Sequence, residues 1–485
     1  MARIRFVAGV LVGAVALRLL AGRGLVNYDT LYSLDWGRQL AGGAAPDLDV
    51  AIAPTPHPLG TLGGIVLSPL SALKLDGLYG EAAASAVIAL SFVALALLGW
   101  VVFALGREWF NVPTGVLAAV IVLTRVPVLD FGARAYVDIP YLVLVLGALL
   151  VETRRPRSGG PVLALLALAG LLRPEAWLFS AAYLVWLLAP GVRSSARGAG
   201  PRRASAWRDA APLIALAASG PLLWVMHDLL LTSDPLHSLS GTRESGDALG
   251  RVTGLDNVAT TVPRRIGEIL REPVLVAAAG GGVLALALHR DRRVRLGAAA
   301  SAAALVAFCV LAAAGLPLIT RYLLLPAGLL TIFAAAAVFG WMDLHHGPQR
   351  TWWARFAALA IVALLVFVPD QTRRIDRLGT ALSRQEAIQG DLADVIRDGL
   401  PCRPVAVANR RPIPLLALWL KSGPERIVDA QKGLPQRGTY LVPRTPEVAR
   451  DYILDKRDRD RRIPVTPPDF SAFAANASWR ASAMC

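Results

Sequence analysis

Lysine is almost missing from this 485-residue chain. Lys74, Lys421, Lys432 and Lys456 are the only lysines among 50 basic residues, and the rest are arginine. Cysteine (three) and histidine (six) are also scarce. Cys309, Cys402 and Cys485 lack the paired spacing of a zinc or redox centre. Cys402 and Cys485 are expected as unpaired thiols, with pairing open to them only if their domain is external. The sequence has no glycine-rich nucleotide loop and no internal repeat. Gly280, Gly281 and Gly282 fall inside an apolar run, where glycine serves helix contact. Nucleic-acid binding would call for a basic, aromatic-bearing soluble face, and no segment supplies one. Only 18% of the residues are charged, too few for a soluble chain of this length.

What fills the space is apolar. Hydrophobic residues make up 55% of the chain and the mean hydropathy is +0.51. A membrane span needs about 20 mainly apolar residues, and such runs recur, so the chain reads as a polytopic membrane protein. About eleven spans are expected, at 6–22, 82–105, 112–128, 138–152, 161–173, 174–190, 209–231, 273–289, 296–315, 321–341 and 353–369. The two flanking Arg173 are short enough for a tight hairpin, and 59–73, broken by glycines and Pro69, reads as a partly buried helix. Arg3 and Arg5 open a first helix that is retained rather than cleaved, because no small-residue cleavage site follows.

Arginine sorts between the loops. The short connections at 154–157, 193–208 and 290–295 are dense in arginine, whereas the alternate loops are longer and mix both signs. That is the positive-inside pattern, with the N-terminus cytoplasmic and the C-terminal segment outside. Arginine in place of lysine, with abundant alanine, suggests a GC-rich bacterial genome and hence a bacterial cytoplasmic membrane. The expected division is a transmembrane domain over 1–370 and a small extracytoplasmic α/β domain over 371–485. Strands are expected at 405–408, 426–428 and 439–442, helices at 384–397 and 446–455, and a poorly ordered tail after Ile463.

On this threading the polar groups collect at the outer face. Asp29 stands about one helical turn past the first span, where it either caps a helix starting near Thr30 or serves as a general base. Tyr28, Tyr32 and Trp36 supply rings suited to a sugar face or to the membrane interface, and Asp35 is a fallback base. Asp138 opens the fourth span, either as a cap beside a surface Arg134 or as the group that orients Arg134 toward a phosphate. Arg173 and Glu175 flank Pro174 in a short turn that is either a solvated hairpin end or part of a site. Arg321 and Tyr322 open a late span, where a lone arginine either snorkels to the interface or binds an anionic lipid headgroup. His57, among three prolines, is a base, a substrate contact or a metal ligand, and no spaced partner supports the last.

In order and sidedness these segments resemble the GT-C superfamily of polytopic glycosyltransferases, which includes the protein O-mannosyltransferases and the lipid A aminoarabinose transferase. The match lies in Tyr28-Asp29-Thr30-Leu31-Tyr32, in Arg134 with Asp138-Ile139-Pro140, in Arg173-Pro174-Glu175 and in Arg321-Tyr322, within residues 1 to about 370. The resemblance implies an inverting membrane glycosyltransferase. It would move a hexosyl or pentosyl group from a polyprenyl-phosphate donor to a hydroxyl of an envelope glycan, lipid or protein. Asp29 would be the base, Arg321, Arg134 and Tyr322 would hold the donor phosphate, and Asp138, Arg173 and Glu175 would orient them. Tyr28, Tyr32, Trp36 and His57 would touch the sugar or the acceptor. Many relatives have Asp-Glu where this chain has Asp29-Thr30, so no metal and no other cofactor is expected. Two alternatives remain. A polyprenyl-linked sugar transporter or flippase would place charges near the bilayer midplane, and a non-catalytic envelope assembly protein would tolerate loss of Asp29.

Overall fold

The computed structural model describes residues 2–48, 50, 52–189, 203–289, 291–455, 458 and 460–485. A bundle of apolar helices is followed by a small mixed sheet. Among the described residues, six helices are long and apolar enough to cross a membrane: 3–21, 81–109, 210–232, 292–313, 320–343 and 348–397. The number rises to eight if two bent pairs, 112–124 with 126–133 and 255–270 with 272–288, each count as one span. The remaining expected spans lie on shorter helices, Asp138–Arg154, Gly160–Gly170 and Glu175–Leu188, of 17, 11 and 14 residues. Length and composition therefore do not reach the expected count of eleven.

Helix Leu324–Phe339 is apolar on every side and almost entirely buried, the pattern of a helix at the centre of a bundle. Around it the arginine loops meet at one end. Glu108 accepts from Arg154 at 3.0 Å and Arg293 at 3.4 Å, and Glu152 accepts from Arg292 at 3.0 Å. The expected inner loop at 193–208 lies largely outside the described residues. At the first bend, Arg125 donates to the carbonyl of Leu270 at 2.9 Å, tying that bend to the second.

Two short helices sit between the bundle and the sheet domain. Tyr28–Ala41 crosses Pro58–Val66 at backbone contact: a Cβ on Gly37 would lie 2.3 Å from the Gly64 carbonyl carbon. Leu31 and Leu34 of the first helix enter the core of the C-terminal domain with Leu416, Leu418 and Trp479. The helix that carries Asp29 is thus held from both sides.

The sheet has five strands in the order Ile427–Asp429, Val405–Val407, Gly438–Pro443, Trp479–Met484 and Ser471–Ala475. The first three run parallel, with Val405 opposite both Ile427 and Thr439, and the last two are antiparallel. Helix Val368–Arg397 runs through residue 371, with Ile375, Leu378 and Leu382 in the bundle core and Ile388, Leu392 and Ile396 in the sheet-domain core.

Two expectations are corrected here. The tail after Ile463 is not poorly ordered. It forms the two edge-side strands, because Trp479 and Ala481 alternate inward and are fully buried. Cys402 and Cys485 are not separate thiols. They form a disulfide with Cα atoms 5.6 Å apart, a normal bridge separation, because the last strand returns beside the start of the domain.

Candidate active site

Asn27 starts the site. Its side chain accepts from the backbone N–H groups of Asp29 at 2.8 Å and Thr30 at 3.1 Å, so the helix cap is Asn27 and the Asp29 carboxylate is not needed there. Asn27 Nδ2 also donates to the carbonyls of Arg134 at 2.8 Å and Ala135 at 3.0 Å, and the Thr30 hydroxyl donates to Ala135 at 2.8 Å. The loop between two spans therefore fixes where this helix begins. The sequence held a signal for this, an asparagine just before the helix.

Freed from capping, Asp29 meets Arg321 across 292 residues of chain: Arg321 Nη1 donates to Asp29 Oδ2 at 3.0 Å. About a fifth of each side chain remains exposed. Arg321 Nε is buried and has no hydrogen-bond partner among the described residues, so a donor of the guanidinium fork is unfilled.

Beside this pair lies a buried charge cluster. Arg173 donates to Glu175 Oε1 from Nε at 3.0 Å and from Nη2 at 2.8 Å, and it donates from Nη1 to Asp138 Oδ1. All of these side chains are nearly inaccessible, which rules out a solvated hairpin end for Arg173. The ring of Tyr322 lies under the Arg173 guanidinium at 4.4 Å and that of Tyr141 at 5.7 Å, both within cation–π range. Two carboxylates thus satisfy Arg173, while a single one engages Arg321.

Arg134 is placed differently from expectation. Asp138 does not orient it. Arg134 Nε donates to Asp130 at 2.6 Å and Nη1 donates to Gln385 at 2.6 Å, so the side chain ties the bundle to helix Val368–Arg397. Its partners, an i,i−4 carboxylate and a residue 251 positions away, offered no combined signal in sequence. Tyr322 likewise offers its ring face to Arg173.

His57 is buried, caps the start of helix Pro58–Val66 without a side-chain hydrogen bond, and stands edge-on to Trp224 with ring centroids 5.6 Å apart. Burial, aided by the nearby Arg321, pushes its imidazole down to about 3, so it is neutral at working pH. Its Nδ1 has no partner among the described residues. Tyr28, Tyr32 and Trp36 form a ladder with centroids 4.9 and 5.2 Å apart. Tyr32 and Trp36 are fully buried, and Trp36 Nε1 donates to the Asp47 carbonyl at 2.7 Å, so only Tyr28 has surface left for a substrate. Asp35 is also buried and paired with Arg38, which reaches on to the Ser422 carbonyl at 2.8 Å. Burial pushes the Asp35 carboxyl up to about 6, and its contacts face the C-terminal domain instead of Arg321.

Comparisons with known proteins agree on the architecture. The chain superposes on the crystal structure of ArnT from Cupriavidus metallidurans in the apo state with a TM-score of 0.56 and 14% identity, over 100% of this chain and 98% of that one. It superposes on the structure of the same protein bound to undecaprenyl phosphate with a TM-score of 0.56 and 15% identity, over 99% and 97%. No family model and no curated protein matches the chain. The likeness is one of fold, and it runs from end to end of the chain.

Proposed function

We propose that this protein is a membrane glycosyltransferase that takes a sugar from a polyprenyl-phosphate donor and places it on a cell-envelope hydroxyl with inversion. The observation that carries the reading is the Asp29–Arg321 pair. A carboxylate and an incompletely satisfied arginine meet at the end of the bundle opposite the arginine loops, where a lipid headgroup and a water-borne acceptor can both arrive. The fold shared with ArnT, a protein solved bound to undecaprenyl phosphate, supports the same donor class.

On this reading the events follow an order. With the pair closed, Arg321 occupies the Asp29 carboxylate. A donor phosphate that takes the fork of Arg321 competes Asp29 away, and the freed carboxylate then accepts the proton of the acceptor hydroxyl. That hydroxyl attacks the anomeric carbon, the bond from that carbon to the phosphate oxygen breaks, and polyprenyl phosphate leaves with its charge held by Arg321. Arg173, neutralised by Asp138 and Glu175 and stacked on Tyr322, positions the adjacent Arg321. His57 supplies a neutral hydrogen-bonding ring beside them.

The Cys402–Cys485 bridge supports an external C-terminal domain, because such bonds persist in oxidising compartments. The reading is tested by incubating the purified protein with labelled polyprenyl-phosphate sugars and a panel of envelope glycans, lipids and proteins. Label should move to one acceptor with inverted anomeric configuration. Retention of configuration, or donor movement across vesicles without transfer, would contradict it.

A further inference from the structure

A cavity of about 610 Å³ opens between the loop carrying Ile52, helix His237–Ala248 and the C-terminal domain. Its volume falls within the ~300–1,000 Å³ typical of small-ligand sites. The loop side is apolar, with Leu48, Val50 and Pro54, while the facing side is polar. Arg410 is already tied to Asp458 at 2.7 Å and Asp460 to Arg462 at 3.0 Å. Among the described lining residues that leaves Lys432 against Glu244 and Asp429, so these residues hold no surplus of cations. A phosphorylated headgroup would meet carboxylates here. A neutral sugar would find apolar walls for its C–H faces and hydroxyl partners such as Thr55 and Thr242, themselves 2.6 Å apart.

The cavity wall also touches the helix that carries Asp29. Its wall residue Ile52 places a carbonyl 3.5 Å from the Tyr28 hydroxyl, and Tyr28 precedes Asp29. Arg410 and Asp429 lie close enough to act electrostatically on that hydroxyl. Ile52 itself sits at φ 54°, a left-handed conformation costly for a β-branched side chain, and such strain gathers at functional sites.

We infer that this cavity is the acceptor site, and that the acceptor presents a neutral, hydroxyl-rich glycan end to Asp29 rather than a phosphorylated headgroup. The inference rests on the transferase reading above. It gives the C-terminal domain a role, as one wall of the acceptor site.

Gly241 provides the test. It lines the cavity from helix His237–Ala248, and a Cβ built there meets nothing within 4 Å. Gly241→Trp should therefore fill the space while removing a glycine from the helix, which helix propensity favours. Full-length protein in nanodiscs would be titrated with neutral trisaccharides of mannose, arabinose and galactose, with a bis-phosphorylated lipid A, and with undecaprenyl phosphate. The wild type should bind at least one trisaccharide, Gly241→Trp should weaken it by about tenfold or more, and undecaprenyl phosphate should bind both proteins alike. The inference is overturned if no trisaccharide binds, if Gly241→Trp binds them unchanged, or if lipid A is the ligand that the substitution displaces. Wild-type protein that binds trisaccharides but not undecaprenyl phosphate would instead remove the transferase reading, and the acceptor role with it.

Discussion

The guanidinium of Arg321 carries the donor side of the account, and its shape matters as much as its charge. Arginine presents a planar fork that matches phosphate bidentately, whereas lysine is a point charge. Arg321→Lys is therefore expected to lower kcat/KM by roughly tenfold and Arg321→Ala by roughly 10²–10³-fold, on the scale of losing one preorganised charge-stabilising donor. Steady-state kinetics on the three proteins would check this, and equal activities would return Arg321 to a passive interfacial role. His57 makes a prediction of a different kind. Its imidazole is pushed down to about 3 by burial, whereas in the unfolded chain it takes up a proton near pH ~6.5. The unfolded state then binds more protons than the folded one below pH ~6.5, so stability falls as pH drops through that value toward about 3. Thermal unfolding between pH 7.5 and 4.5 should show a steeper acid loss for wild type than for His57→Leu. Parallel curves would contradict the buried neutral ring.

At the scale of elements, the site depends on two helices that cross too closely for side chains. Gly37→Ala would press a methyl group against the backbone at Gly64, where the Cβ would lie 2.3 Å from a carbonyl carbon. Neither backbone can yield cheaply, so a cost of about 1–3 kcal/mol is expected. The helix bearing Asp29 should shift as well, so activity should fall by more than the lost stability explains. Unfolding measurements alongside kinetics would separate the two, and a fully active, fully stable Gly37→Ala would contradict this packing. These elements also show what was legible in sequence. Long apolar runs exposed the large helices, and strand-like runs exposed the parallel half of the sheet, because hydrophobic periodicity is local. The strands Ser471–Ala475 and Trp479–Met484 escaped because small residues dominate them, so their alternation looked like low-complexity tail. The Asp29, Asp138, Arg173 and Arg321 segments stood out as charges at span ends. Who pairs with whom did not, since Arg173 takes Asp138 from 35 residues away and Arg321 takes Asp29 from 292.

For the whole molecule, the claim is that the two ends of the bundle face different compartments. Glu108 and Glu152 gather arginines at one end, and the Asp29–Arg321 pair and disulfide domain occupy the other. Single cysteines at the exposed positions Arg23, Arg155 and Glu447 would test this in a Cys309→Ser background, with the Cys402–Cys485 bridge left intact because oxidised sulfur does not react with maleimide. An impermeant maleimide on intact cells should label Arg23→Cys and Glu447→Cys but not Arg155→Cys, following the arginine asymmetry of the short loops. The reverse pattern would put the site inside and leave an external acceptor beyond reach.

The most direct test of the central claim separates binding from chemistry at Asp29. Asp29→Asn keeps the size of the side chain and a hydrogen-bond acceptor for Arg321, but it cannot take a proton at working pH. Undecaprenyl phosphate binding and sugar transfer from labelled polyprenyl-phosphate donors would be measured on wild type and Asp29→Asn in the same nanodisc preparation. The account predicts lipid binding at least as tight in the variant, because the phosphate no longer competes with a carboxylate, and transfer reduced by roughly 10²–10⁴-fold, the usual contribution of a general base. Transfer at the wild-type rate in Asp29→Asn would contradict it.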